Sequence, residues 1–176
     1  DVYFSCEGTG IISYPILFKS SHIIENIEFT NVTSTDSPIL YITKSEGYES
    51  IKFDNLTFTD CKYKENYVIE VADLTEIEFS QTHIIFSNIA ESYGGIKIDQ
   101  PGNIQITKSI FKRTNINTGC IYYNPTILGT SANTFTIQES LFEECNGGCC
   151  YISTQQQSIE NIKIVETTFL RCSNWE

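Results

Sequence analysis

The sequence predicts an all-β solenoid: a right-handed parallel β-helix of six to seven coils, with roughly 28 residues in each. Three observations point there. A short anchor of the form F-x-x-C recurs along the chain. Runs of period-two alternation, rich in Ile, Val, Phe, Tyr and Thr, surround every copy. No stretch keeps the i, i+3, i+4, i+7 spacing of an amphipathic helix over helical length.

The anchors, in order, are YFSC from Tyr3, FTNV from Phe29, FTDC from Phe58, FSNI from Phe86, FKRT from Phe111, FEEC from Phe142 and FLRC from Phe169. Successive steps are 26, 29, 28, 25, 31 and 27 residues. Ahead of an anchor lies an alternating apolar pair and a polar step, as in SIKFDNLTF (50–58), NIQITKSIF (103–111), TFTIQESLF (134–142) and NIKIVETTF (161–169). After it comes a polar or glycine-rich bend and a second apolar run. These runs are GTGIIS (8–13), PILYI (38–42), VIEV (68–71), GGIKI (94–98), GCIYY (119–123) and CCYI (149–152). Each repeat thus holds two or three short strands. Stacking the repeats in parallel sets each Phe above the one before, whereas a hairpin sandwich does not return one sequence to one phase. The right hand follows from the rule for parallel crossovers.

The residues beside the anchors supply a second check on register. Stacking places Lys112 beside Glu143, sets Glu144 between Arg113 and Arg171, and makes a hydroxyl ladder of Thr30, Thr59 and Ser87. Opposite charges and Thr pairs are favoured sheet neighbours, each contributing about 0.2–1 kcal/mol. The ladder Phe29, Phe58, Phe86, Phe111, Phe142, Phe169 is read as an inward core stack, not an aromatic binding strip.

At 176 residues the chain is read as a single domain, 1–176, expected to be a segment of a longer chain. Its 22 acidic against 11 basic residues, a formal charge of −11, argue against nucleic acid or an anionic membrane as the main partner. No apolar run reaches the roughly 18 residues of a spanning helix, so no membrane insertion by this segment is expected.

Seven cysteines raise the question of metal, disulfide or plain core. The only histidines, His22 and His83, fall in different coils, and there is no Cys-x-x-Cys pair. No metal site and no cofactor are therefore expected. In phase, the stretch SLFEECNGGCCYIS (140–153) is the sixth repeat, with Gly147 and Gly148 at the bend. Cys145 and Cys172 become vertical neighbours and are the candidate disulfide, and Cys120 lies one coil below Cys149 or Cys150. Small buried unreacted thiols are the leading reading.

The anchor together with Gly94-Gly95-Ile96 and Gly147-Gly148 resembles the repeats of the polymorphic membrane proteins, across nearly the whole chain. In that family tandem F-x-x-N and G-G-A-[IL] motifs build a right-handed β-helix. Here Cys replaces the Asn at Cys6, Cys61, Cys145 and Cys172. The resemblance implies secreted or surface-displayed adhesion.

The expected function is thus a non-catalytic extracellular or cell-surface module for adhesion or scaffolding. Protein or glycan partners would meet its flat faces, and further coils or neighbouring subunits would meet its ends. One alternative is a structural subunit of an extracellular filament. Another is a carbohydrate-active β-helix enzyme using paired carboxylates, for which Glu25 with Asp54 and Glu139 with Glu166 lie one period apart. Among 22 acidic residues such alignments arise by chance, and no catalytic residue is assigned. Asn31-Val32-Thr33 and Asn55-Leu56-Thr57 are N-glycosylation patterns, with Asn31 and Asn55 the acceptors. The insertion at 124–134 is the expected variable binding surface.

Overall fold

The computed structural model describes residues 2–12, 16–18, 23–35, 37–43, 50–63, 67–72, 74, 76–87, 94–99, 102–116, 118–125, 133–153 and 159–173. These residues form strands and bends, with no helix among them, and every named strand pairing is parallel. The solenoid expected from the repeats is present, at about 27 residues per turn.

The long sheet stacks seven strands in chain order: β1 (Val2–Ile12), β3 (Ile23–Ser34), β5 (Ser50–Thr59), β8 (Glu76–Ile85), β10 (Asn103–Thr107), β13 (Asn133–Gln138) and β16 (Ile159–Val165). Short strands continue its later half: β11 (Ile110–Lys112), β14 (Leu141–Glu143) and β17 (Thr168–Leu170). The facing sheet stacks β2 (Ile16–Phe18), β4 (Leu40–Thr43), β7 (Ile69–Ala72), β9 (Ile96–Asp99), β12 (Ile121–Tyr123) and β15 (Cys150–Ile152). The remaining named strand, β6 (Lys62–Tyr63), pairs with the end of β3. The solenoid makes about four turns, fewer than the six to seven coils expected.

Alternation explains which side chains fill the interior. Phe53, Phe79, Ile106 and Ile137 form one buried column, and Phe29, Phe58, Ile84, Phe111 and Phe142 another. Rings within a column lie flat on one another: Phe29 on Phe58 at 4.7 Å, and Phe111 on Phe142 at 4.9 Å. From the facing sheet come Ile42, Val71, Ile98 and Tyr123, all buried. This is core, as expected.

Two register positions differ from the expectation. Ile84, not Phe86, sits between Phe58 and Phe111, and Ile85, not Ser87, follows Thr59 in the outer ladder. Phe86 is still buried, two residues further on, where its ring approaches Gly94. Ser87 instead caps Asp60, donating from its amide at 2.6 Å and its hydroxyl at 2.7 Å. In the first rung Phe4, not Tyr3, pairs with Phe29.

Each turn is made by a residue in the left-handed region. One corner holds Asn26, Asn55, Gln81, Lys108, Glu139 and Glu166, and the next holds Asn31, Asp60, Arg113, Glu144 and Arg171. Asparagine adopts this conformation most readily among residues with a Cβ, and Asn55 donates to Asn26 across one turn at 2.8 Å. Just inside the first corner, small hydroxyls replace apolar side chains. Ser109 accepts from the Thr82 amide and Ser140 from the Ser109 amide, both at 3.1 Å, while each serine donates to a carbonyl of its own strand at 2.9 Å. Those bonds satisfy buried amides that the bend takes out of the sheet ladder.

Lys108 is exposed and held at φ 50°. Lys108→Gly is expected to raise stability by roughly 0.5–1 kcal/mol, the relief of left-handed strain exceeding the added chain entropy. Urea denaturation measures it. A loss would mean that the lysine side chain outweighs the strain.

Candidate functional site

Just inside the second corner the column runs Val32, Cys61, Thr114, Cys145, Cys172, each directly after its left-handed residue. The last two turns therefore bring thiols together. Asn115, Asn146 and Ser173 are bridged in parallel, which aligns Cys145 with Cys172. Cys149 enters from the facing side after the bend at Gly147 and Gly148, both at positive φ. The Sγ atoms of Cys145, Cys149 and Cys172 all lie within 4.8 Å of one another. Cys145 is buried, while Cys149 and Cys172 are half-buried.

Cys120 stands beside this group. Its strand pairs Ile121 with Cys150, so Cys120 lies one turn below Cys149. Its thiol is 2.6 Å from Thr114 Oγ1 and 3.5 Å from the Gly148 carbonyl. Other thiols use carbonyls of the preceding turn: Cys145 reaches Phe111 O at 3.6 Å and Cys172 reaches Phe142 O at 3.5 Å. The electrostatics centre on Cys145. Hydrogen bonds from Cys120, then Cys149, hold its thiol well below the usual range, against the effect of burial. Its hydrogen bond to Cys145 and then burial push Cys149 up, and burial does the same to Cys120 and Cys172.

The repeat spacing sets Cys145 beside Cys172, as found, and Cys120 one coil below Cys149 or Cys150, of which the structure has Cys149. The spacing alone does not show that Cys149 completes a three-sulfur group. Cys145 and Cys172, the candidate disulfide pair, are free thiols here. His83 is half-buried on the long sheet, and burial lowers its imidazole. His22 and most of the 124–134 insertion lie outside the described residues.

The expected charge ladder is built around the same turns. Lys112 Nζ meets Glu143 Oε2 at 2.8 Å, Arg113 Nε meets Glu144 Oε2 at 2.9 Å, and Arg171 Nη2 meets Glu144 Oε1 at 3.0 Å while also contacting Glu143. Lys112 holds the Glu143 carboxyl below its ordinary range. On the facing sheet Lys97 bridges Glu70 at 2.9 Å and Asp99 at 2.5 Å. Burial works against its charge, but hydrogen bonds to those two carboxylates outweigh it and hold the ammonium high. Above Lys97 in register come Tyr122 and Tyr151, stacked at 5.3 Å, with Tyr67 tilted against Tyr122 at 6.1 Å. The result is a flat outer column of charge and ring.

The carboxylate pairs align one turn apart, as their spacing suggests. Glu25 is in register with Asp54, whose Oδ1 accepts from Gln81 at 3.0 Å. A lysine stands near them: Lys52 feels both charges, though its ammonium is bound to Glu78 at 2.7 Å. Glu139 and Glu166 occupy the same corner in successive turns, and Glu139 accepts from the Gln138 side-chain amide at 2.9 Å. Asn31 and Asn55, the glycan acceptors, are both exposed at corners, and the Asn55 amide nitrogen is the one given to Asn26.

No family model matches the chain, and no curated protein or solved structure matches it significantly.

Proposed function

We propose that this chain is a non-catalytic scaffolding module of an extracellular or cell-surface assembly, which associates through the end of its stack. The observation that carries the reading is the last described rung. Ile162, Ile164 and Phe169 are 51%, 48% and 44% exposed, although they pair in register with the fully buried Phe135, Ile137 and Phe142. They continue the core columns and have no turn above them among the described residues. An apolar strip beside an unpaired strand edge favours a further β-rung laid on it in register. The proposed occupant is a solenoid coil of a neighbouring subunit.

Sedimentation of the 176-residue chain over a dilution series tests this. Concentration-dependent association, abolished by Ile164→Lys, is the expected result. A monomer at every concentration, or association that Ile164→Lys leaves intact, overturns it.

A second reading, adhesion through a flat face, is favoured by the outer column Lys97, Tyr122, Tyr151. Tyr151 is 45% exposed, and its stacked neighbour offers a ring surface of the kind that glycans or protein side chains meet.

A further inference from the structure

We propose that Cys145, Cys149 and Cys172 form a thiolate site for a thiophilic d10 cation, Zn²⁺ in the first instance. Three sulfurs from two adjacent turns and one bend converge within 4.8 Å. Tetrahedral Zn²⁺–thiolate bonds of about 2.3 Å set sulfurs about 3.8 Å apart, so the group needs to close by no more than about 1 Å. Its chemistry selects the ion: all donors are soft sulfur, with no carboxylate or imidazole in the group, which suits zinc over the hard oxygen-seeking cations.

Without metal the Cys145 and Cys172 thiols donate to the carbonyls of Phe111 and Phe142, bonds that are given up with the proton on ligation. Half-buried Cys149 and Cys172 give the ion a way in, while buried Cys145 forms the floor. On binding, each ligating thiol releases its proton to solvent and gives a sulfur lone pair to the metal; no electron is transferred. The strands carrying the ligands are fixed by the parallel register of β14 with β17 and β12 with β15, so the site is framed before any metal arrives. Zinc uptake is separate from end-on association, since Ile164 contributes no ligand.

The test uses the reduced 176-residue chain, titrated anaerobically with Zn²⁺ against a chromophoric chelator, and with Co²⁺ to read coordination from its thiolate absorption. One Zn²⁺ per chain is expected. Cys145→Ser and Cys172→Ser should each weaken binding by at least the roughly 10- to 100-fold that follows loss of a mere supporting partner. Cys61→Ala, which removes a thiol from a distant turn, should leave the affinity unchanged. Because Cys145 is buried, half-buried Cys172 and Cys149 keep the test decisive if Cys145→Ser does not fold. Three outcomes overturn the site: no stoichiometric zinc, equal loss in Cys61→Ala, or a Cys145–Cys172 disulfide in the native protein.

Discussion

Phe111→Ala is expected to remove about 3–5 kcal/mol of stability, the largest effect of any single truncation proposed for this chain. The ring is fully buried, lies on Phe142 at 4.9 Å and 6°, and rests on Ile84 in the turn before. Truncation removes its burial, its stacking and the support of both neighbouring turns. In-register columns cannot collapse sideways to fill the gap, because each backbone is tied to the next by parallel hydrogen bonds. Chemical denaturation checks it, with Phe169→Ala as the contrast: that ring is half out in solvent and should matter far less. A loss below about 1 kcal/mol at Phe111 would place its ring outside the core.

Gly95→Ala is expected to destabilise by about 1–3 kcal/mol through crowding alone. A methyl there would lie 2.4 Å from the Cys120 carbonyl oxygen and 2.8 Å from Ile116 Cδ1. The carbonyl is the harder obstacle, since it accepts from the Ile96 amide at 2.9 Å and moving it strains that bond. Gly94 is a milder case. Its nearest obstacle is the rim of the Phe86 ring, a side chain with some freedom to turn. Urea denaturation of both variants separates them: equal small losses would show that the backbone at Cys120 yields.

Most of the fold was legible because one physical requirement repeats. A coil buries the same positions each time, so period-two alternation and a recurring ring mark the register without any long-range information. The misplacement at Phe86 shows what misleads. The inward residue of the later half strand lies five positions after the last inward residue of the earlier half: Phe53 to Phe58, Ile106 to Phe111, Ile137 to Phe142 and Ile164 to Phe169. Five from Phe79 is Ile84, the residue found there. The larger ring of Phe86 lies two residues past the position that the constant spacing marks, and Ser87 lies past the outer ladder with it.

The thiol group was only half legible, for a related reason. Ligand rules read spacings along the chain, but a solenoid brings together residues one turn apart. Cys145 and Cys172 are 27 positions apart and still neighbours. Cys149 lies beyond a bend whose path depends on Gly147 and Gly148, and no periodicity fixes where its sulfur ends up. The left-handed corners were invisible for a different cause. Gln81, Lys108, Glu139 and Arg113 carry no turn signature, and only repetition of the geometry holds them there.

The uniform parallel stacking also makes the protein anisotropic under load. Traction along the axis falls on the hydrogen bonds of one terminal strand at a time, so the molecule peels rung by rung at modest force. Shear across the axis loads many strand pairings together, and the same bonds resist as a block. A tether attached at the tip and one attached to the flank would therefore feel two different materials.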